Sequence, residues 1–496
     1  MVGDSQRDIA MHVFGRRSFI QANAAALALG LLPRRHTFQQ DPSGVSYLIR
    51  YDTDTAGRVV ITMTPPPQTG AVQLVMPRSI PMGYGTAPYA DFVDGVRGWS
   101  QTGEQLPVAR LEGPRWQIGR EGTVLNRLRY VVNVHRMEEQ ILAASDASRS
   151  RYGYLSLLGY SVLGYLDGLE RLPVTMEVRA PVGWPVFATL APAPTPWPGQ
   201  VTLNAPDFYS AADGQIVMGP DLQVRQLAGV KPLFLVGYVE APADLAIDGS
   251  LVEQAFGRVS DWFASTPFSH YTTMIEYLRP VSSAHRYGFS MEHLDSSTYF
   301  LEAKSALLSS SPPDALSRAR FNYAHHIAHS WLPKRLAGEG YFPHRWEIPP
   351  VIDTIWFSEG FARWIASEAL RADASDADRE GLRAASRARW QEIVQGLPAV
   401  FRTTPLVDLS RVGSTQYSED FRIGQSLFLR GALLADELDT TIRERAGGGR
   451  SLRDSIRAMM VWSAREKRGF RVDELPRLIG EPVSVDVGAV FSKWLA

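Results

Sequence analysis

The pattern of apolar and polar positions changes along the chain, and the change predicts how the protein is built. From about residue 44, short runs rich in β-branched and aromatic residues alternate with turns rich in Pro and Gly, a pattern typical of β-strands. Such runs include VSYLIRYDT, GRVVITMTP, NRLRYVVNVHR, PVTMEVRAP and KPLFLVGYVEA. Their number and spacing predict a β-sandwich-like domain over residues 44–240.

Further along the chain, apolar residues recur at helical spacing. SLVEQAFGRVSDWFAS and TIWFSEGFARWIASEALRA each predict a helix, and a longer helix is predicted from Pro313 or Asp314 to about Gly338. We therefore expect a mixed α/β unit over residues 241–374 and a helical domain over residues 375–496. The predicted fold class is multidomain α+β.

Composition narrows the chemistry that this fold can carry. The chain of 496 residues is 45% hydrophobic and 21% charged, which is ordinary for a soluble globular protein. Its formal net charge of −1 gives no electrostatic reason to expect nucleic acid as a partner. Because the chain has no cysteine, any metal ion must be held by His, Asp or Glu.

The N-terminal segment has the features of an export signal. Arg16 and Arg17 precede Ser-Phe-Ile and an apolar, alanine-rich run that ends near Pro33. This order resembles a bacterial twin-arginine signal, so we expect residues 1–43 to be a signal and linker and the protein to reach the periplasm or cell envelope. The apolar run is too short to span a bilayer, and no later segment reaches that length. The alternative is an ordinary amphipathic N-terminal helix.

Two histidines in the long predicted helix form a possible metal-binding pair. In FNYAHHIAHSWLPKRL, residues 321–336, His325 and His329 are four residues apart and share one helix face. Two such imidazoles can bind a divalent metal, although a tetrahedral site needs a third protein ligand. The alternative is that both rings simply pack or lie on a polar surface.

The third ligand has two candidates. Glu359 lies at the start of the next predicted helix, within WFSEGFA, where its carboxylate can point back at the histidine pair. Glu347 is the rival by distance along the chain, but it precedes a Pro-Pro pair and we expect it in an irregular loop. Glu359 is therefore preferred.

Several blocks of the sequence together resemble the glycyl aminopeptidase family of gluzincin zinc peptidases. HHIAHSWLPKRL followed by IWFSEGFA is similar to the family's H-E-x-x-H-S-W and L-W-F-S-E-G-F segments. GFSMEHLDSS resembles its substrate-binding strand, and PRSIPMGYGTAPYADFV and APDFYSAADGQIVMG resemble two N-terminal blocks. With the C-terminal LFLRGALLADELDTTIRERAGGGRSLRDSIRAM, the resemblance covers about residues 44–490.

The resemblance implies a thermolysin-like metallopeptidase domain at residues 241–374 with one zinc ion. Its ligands would be His325, His329 and Glu359. The resemblance also makes Glu292, between Met291 and His293, the substrate-binding carboxylate that holds the free α-amine of a peptide or aminoacyl ligand. The alternative for Glu292 is an ordinary carboxylate with a salt-bridge partner.

Two positions depart from the family pattern, and both concern catalysis. His326 stands where the family has its general-base glutamate, so the motif reads HHxxH instead of HExxH. Aligning the segment on Gly431 places Phe428 where the family has a tyrosine that stabilises the oxyanion, with Tyr417 nearby in sequence. A general base contributes roughly 10²–10⁴-fold and an oxyanion donor about 10²–10³-fold to the rate.

These features lead to two predictions of function. The first is a zinc metallo-aminopeptidase-like protein with weak or no peptide hydrolysis, because the general base is substituted. The second is a non-catalytic, peptide-binding or scaffold protein of the cell envelope, a pseudopeptidase. Hydrolysis through a serine of the G-x-S-x-G type is not expected, since that motif does not occur.

Overall fold

The computed structural model describes residues 43–53, 57–142, 147–191 and 195–495. The predicted twin-arginine segment lies outside these residues, so its conformation is not described here. Residues 42–496 cluster as one compact unit. None of the described helices is both long enough and apolar enough to cross a membrane.

Strands dominate the first half of the described chain, as the apolar pattern predicts. In chain order they are β1 Val45–Tyr51, β2 Arg58–Thr64, β3 Gln68–Thr69, β4 Val72–Val75, β5 Val93–Trp99, β6 Gln105–Leu106, β7 Val108–Arg110, β8 Arg115–Ile118, β9 Val124–Leu125, β10 Arg127–Asn133, β11 Arg149–Arg151, β12 Tyr154–Leu158, β13 Tyr165–Leu166, β14 Val174–Arg179, β15 Pro185–Ala188, β16 Trp197–Pro198, β17 Gln200–Ala205, β18 Gln215–Met218, β19 Gln223–Leu227, β20 Leu233–Val239, β21 Tyr271–Leu278, β22 Gly288–Glu292 and β23 Ser296–Glu302.

The N-terminal strands form layered, mainly antiparallel sheets. A seven-stranded sheet has the order β17-β14-β1-β2-β10-β5-β6, and only its β1-β14 pair is parallel. A five-stranded sheet, β11-β12-β18-β15-β16, and a four-stranded sheet, β13-β4-β8-β7, accompany it, with β3 and β9 paired separately. In strands such as β10, alternation of buried and less buried residues places one face in a shared apolar core.

A second five-stranded sheet carries the candidate site. Its order is β19-β20-β21-β23-β22, with a parallel centre and antiparallel strands at both edges. Every residue of β21 is buried, as expected for a central strand covered on both faces. Strand β22 lies at one edge of this sheet and lines a cavity beside it.

Helices predominate from residue 245 onward, which confirms the predicted change from strands to helices and the α+β fold class. In chain order they are α1 Val134–Gln140, α2 Gly159–Val162, α3 Phe208–Asp213, α4 Leu245–Phe263, α5 Pro313–Ala328, α6 Ile355–Leu370, α7 Asp376–Gly396, α8 Ala399–Thr403, α9 Leu406–Gln416, α10 Phe421–Arg445, α11 Leu452–Glu466, α12 Leu475–Gly480 and α13 Gly488–Leu495. Short 3-10 turns occur at Tyr89–Phe92, Ala303–Ser305, Val472–Glu474 and Glu481–Val483.

Helix α5 is shorter than the pattern predicts. It starts at Pro313, as expected, but ends at Ala328 instead of continuing to Gly338. Pro333 supplies the reason, since it has no N–H to donate and its ring clashes with the carbonyl four residues earlier, at His329. The chain turns after His329, and this turn matters for the metal-binding geometry below.

Two buried apolar cores meet beside the second sheet. The first fills the N-terminal sheets, and the second is formed mainly by α4, α5, α6, α10 and the C-terminal helices. A buried ion pair joins them, because Arg149 Nε of β11 lies 2.7 Å from Glu276 Oε2 of β21. Tyr154 of β12 donates to the other oxygen of Glu276 at 2.6 Å. The N-terminal sheets are therefore fixed against the site-bearing sheet.

Candidate metal centre

Two packed helices bring three possible ligands together. His325 and His329 lie at the C-terminal end of α5, one turn apart, and α5 packs against α6. Glu359 is in the second turn of α6 and faces the two imidazoles. All three side chains are buried. We call His325, His329 and Glu359 the ligand cluster.

The separations within the ligand cluster match those of a tetrahedral metal site. The Nε2 atoms of His325 and His329 are 3.2 Å apart, and they lie 3.5 and 3.2 Å, respectively, from Glu359 Oε2. Tetrahedral N and O ligands at about 2.0–2.1 Å from an ion would be about 3.3 Å from one another. A single metal ion therefore fits between these three atoms.

Hydrogen bonds hold two of the possible ligands in a form that suits metal binding. The Nδ1–H of His329 donates to the carbonyl of Leu332 at 2.7 Å, which leaves Nε2 to face the cluster. Tyr84 donates to Glu359 Oε1 at 3.0 Å, so Oε2 is the oxygen that remains for a metal. The turn after α5 thus supplies one support, and a tyrosine from the N-terminal sequence supplies the other.

The charges of the ligand cluster also suit a cation. Burial, with repulsion from His329, lowers the pKa of His325 to about 3, so its ring is neutral. Burial opposes a proton on His329, but the carboxylates of Glu292 and Glu359 outweigh burial and raise its pKa to about 9. Burial likewise opposes ionisation of Glu359, yet the attraction of His329 outweighs it and holds the pKa near 2. A metal ion would displace the His329 proton.

The structure places Glu359, and not Glu347, beside the histidine pair. The carboxylate of Glu347 instead accepts a hydrogen bond from Arg115 Nε at 2.7 Å. Among the described residues, a second group with metal-ligand spacing consists of Glu292, His326 and His329, and it shares His329 with the ligand cluster.

The side chain of His326 lies between two residues of the edge strand. Its Nε2 is 2.5 Å from Ser290 Oγ, and its Nδ1 is 3.5 Å from Glu292 Oε2. The ring of Tyr299 meets the imidazole edge-on at 5.5 Å. Both nitrogens of His326 are therefore directed toward polar groups of β22.

Glu292 is buried at the end of β22 and lines the cavity beside the ligand cluster, which we call the cleft. Burial opposes its ionisation, but the neighbouring His329 and His326 outweigh burial and hold its pKa well below the usual range. Met291 also lines the cleft. His293 does not: β22 ends before it, and its Nδ1 lies 3.4 Å from Asp213 Oδ1.

Phe428 is positioned on α10 with its ring 5.9 Å from that of His325. Tyr417, at the end of α9, stacks on Phe428 at 6.2 Å and also borders the cleft. The structure therefore places the aromatic ring at 428 next to the ligand cluster, with a tyrosine directly beyond it.

The ligand cluster opens into the cleft, a cavity of about 410 Å³. Its walls come from the N-terminal sequence, the edge strand and helices α5, α6 and α10. Residues lining it include Tyr84, Ser290, Glu292, His326, Arg363 and Phe428. This volume suits a ligand of the size of a short peptide.

Three residues that line the cleft are not among those predicted from the sequence: Tyr84, Ser290 and Arg363. Tyr84 lies in the quoted block PRSIPMGYGTAPYADFV, so its presence there was the available signal. Ser290 lies in the quoted strand GFSMEHLDSS, two residues before Glu292 and hence on the same face. Arg363 follows Glu359 by four residues on one helix, a spacing that predicts a shared face.

Comparison with known proteins supports the fold. Residues 46–220 match the peptidase M61 N-terminal domain. An aminopeptidase N family protein from Idiomarina loihiensis has a similar structure, with a TM-score of 0.78 at 18% identity, over 91% of this chain and 76% of that one. The M1 zinc metallopeptidase from Deinococcus radiodurans is similar with a TM-score of 0.51 at 15% identity, over 91% of this chain and 93% of that one.

Two further structures show this M1 type of enzyme with ligands. One is a two-domain M1 zinc metallopeptidase mutant bound to L-tryptophan, with a TM-score of 0.52, 16% identity and coverage of 91% and 93%. The other is a mutant of the M1 zinc metallopeptidase from Deinococcus radiodurans bound to a Tyr-Ser-Ala substrate. Its TM-score is 0.52 at 15% identity, over 91% of this chain and 93% of that one. Among curated proteins, none matches the sequence. The chain therefore has the fold of aminopeptidase N-family and M1 metallopeptidases, and its residues 46–220 are similar to the peptidase M61 N-terminal domain.

Proposed function

We propose that the protein is a zinc-binding member of the aminopeptidase-like metallopeptidases and holds one ion at His325, His329 and Glu359. The observation that carries this proposal is the set of three distances, 3.2, 3.2 and 3.5 Å, between their ligand atoms. Three N/O ligands with an open fourth position are typical of a catalytic zinc site. The similar structures of zinc metallopeptidases support the choice of metal.

The ligand that we propose for the cleft is a peptide or aminoacyl compound with a free α-amine. Glu292 is a buried carboxylate at the cleft, beside the ligand cluster, and its low pKa keeps it negatively charged. An ammonium group needs such a partner when it leaves water. The related M1 structures with amino acid and peptide ligands support this choice.

We further propose that hydrolysis is weak because the groups that move protons are altered. A bound zinc ion would polarise a carbonyl and acidify water. The chain itself must accept the proton and stabilise the oxyanion, and here His326 replaces a carboxylate while Phe428 has no hydroxyl to donate. Ser290 lies 2.5 Å from His326 Nε2, which further restricts that ring as a base.

The second candidate function is peptide binding without catalysis. It is favoured by the position of His326, whose two nitrogens face Ser290 and Glu292. A ring held in this way preserves the cleft wall but contributes little to proton transfer. Such a protein would bind peptides in the cell envelope as a scaffold or receptor.

Metal content tests the proposal directly. Elemental analysis of the purified protein is expected to show about one zinc per chain, and His325→Ala or Glu359→Gln should lose it. His135→Ala is the matched control, because His135 is exposed on α1 and lies outside the ligand cluster. Wild-type protein without stoichiometric metal, or His325→Ala with unchanged metal uptake, would contradict the proposal.

A further inference from the structure

The cleft continues past the ligand cluster toward an arginine. Arg363 lies four residues after Glu359 on α6, so the two side chains share a helix face, about 6 Å apart along the axis. It lines both the cleft and a neighbouring cavity of about 670 Å³. Phe321 and Asn322 of α5 line both cavities as well. Arg363 therefore stands where the two cavities adjoin.

Arg363 has no anionic partner within the described part of the chain. No carboxylate of these residues forms a salt bridge with it, and its buried Nε makes no hydrogen bond. Its guanidinium carbon lies 5.1 Å from the centre of the Phe321 ring. Two other partly buried arginines nearby behave differently: Arg371 and Arg383 both bind Glu368, at 2.6 and 3.0 Å.

The surroundings of Arg363 disfavour its positive charge. Burial, and then the nearby charge of Arg389, lower the pKa of Arg363 to about 10. A partly desolvated cation without a partner costs free energy that an anion would recover. The planar guanidinium group matches a carboxylate, with which it forms two parallel charge-assisted hydrogen bonds.

We propose that Arg363 binds the C-terminal carboxylate of a short peptide held in the cleft. The helical rise from Glu359, in the ligand cluster, to Arg363 is about 6 Å, which is the length of about two extended residues at about 3.4 Å each, so a peptide held at the ligand cluster reaches Arg363 with its second or third residue. With Glu292 available for the α-amine, the two ends of a dipeptide or tripeptide each meet an opposite charge. This inference rests on the proposed function, because it requires that the cleft receive peptides.

Matched ligands test the carboxylate subsite. Binding of L-alanyl-L-alanine and of L-alanyl-L-alaninamide to the metal-loaded protein is measured by calorimetry; the two ligands have the same amine and differ only in the carboxylate. The wild type is expected to bind the acid about tenfold to a hundredfold more tightly, as charge-assisted hydrogen bonds imply. Arg363→Gln should bind both ligands with the affinity of the amide, and Arg363→Lys should keep part of the preference.

Arg389→Gln is the matched control, since it removes a neighbouring charge from an exposed position that lines neither cavity. It should retain the wild-type preference for the acid. Equal binding of acid and amide by the wild type, or a preference that survives in Arg363→Gln, would overturn the carboxylate subsite alone. If neither ligand binds although metal is present, the peptide-binding function fails together with it.

Discussion

At the scale of single residues, the proposed loss of hydrolysis rests first on position 326. A glutamate there would project a carboxylate from the same helix that carries the histidine pair, whereas the imidazole of His326 lies against Ser290 and Glu292. Under the proposed function, a ring directed toward the edge strand is less well placed than a carboxylate to take a proton from water at the ligand cluster. The ligand cluster, the cleft and Glu292 are nevertheless brought together, so we propose that the change in chemistry is local.

We therefore expect His326→Glu to increase hydrolysis of aminoacyl substrates. A restored general base is worth roughly 10²–10⁴-fold. Phe428→Tyr in the same protein should add to this gain, because the ring at 428 lies next to His325 and a hydroxyl would enter the cleft. The measurement is kcat/KM with aminoacyl p-nitroanilides, with metal content determined on the same samples.

His326→Gln is the matched control for this prediction, since it has the length of glutamate without a basic carboxylate, and it should gain nothing. Rapid turnover by the wild type that His326→Glu abolishes would show that His326 is itself the base. If the metal-loaded variants gain no activity, the cleft differs from that of an aminopeptidase in more than these two residues, and the binding function is favoured.

The residues of the ligand cluster are easier to predict from the sequence than the residues that hydrogen-bond to the site. The spacing of His325 and His329 fixes their shared helix face, and Glu359 follows from its place at the start of the next helix. The bond from Tyr84 to Glu359 joins residues 275 positions apart, so no local pattern could indicate it. The contact of His326 with Ser290 likewise depends on how α5 packs on the edge strand.

At the scale of secondary-structure elements, Asp248 connects three of them beneath the site. It is buried on α4 and accepts hydrogen bonds from Tyr277 of β21 at 3.0 Å and from Tyr323 of α5 at 2.5 Å. Burial raises the pKa of Asp248 to about 6, although the two tyrosine hydrogen bonds act in the opposite direction. A carboxyl group whose pKa is raised to about 6 thus links α4 and β21 to α5, the helix that carries the histidine pair.

This raised pKa predicts how stability depends on pH. In the unfolded chain an aspartate has a pKa of about 3.9, so between about pH 4 and 6 the folded state binds the extra proton. The stabilisation from Asp248 is complete below pH 4 and is lost as the pH rises through 6. Asp248→Asn should remove about 1–3 kcal/mol of this pH dependence. Thermal melting at pH 4.5 and 7.5 measures the difference.

Asp261→Asn is the control for the pH prediction, since that carboxylate is on the same helix but exposed. It should leave the difference between the two melting temperatures unchanged. The same pH dependence in Asp248→Asn as in the wild type would assign it to other groups.

Element boundaries were less predictable than element types. The sequence pattern identified the strands from residue 45 and the helices from 245, because period-2 and period-3.6 patterns differ clearly. The helix predicted from this pattern ends ten residues later than α5 does, because the apolar spacing continues past Ala328. In the structure Pro333 stops the helix. The turn that follows this early stop brings the Leu332 carbonyl to His329.

At the scale of the whole molecule, the cleft is built where the two apolar cores meet. Tyr84 comes from the N-terminal sequence, Glu292 from the edge strand and Phe428 from a C-terminal helix. Sequence patterns assign each of these to an element but do not say how the layers are arranged. The resemblance to a family supplied that arrangement, and the fold comparisons agree with it.

The site is therefore complete only after residues from 84 to 428 have folded together, and this bears on export. We propose that Arg16 and Arg17 direct the protein to the twin-arginine pathway, so that the chain folds in the cytoplasm and crosses the membrane with its site already assembled. Metal binding coupled to folding would then also take place before export. Residues 1–45 fused to a reporter should be exported, and replacing both arginines by lysine should leave the reporter in the cytoplasm. Fractionation of cells measures this, with replacement of Arg34 and Arg35 as the control that keeps export. Export that persists after the change at Arg16 and Arg17 would exclude this pathway.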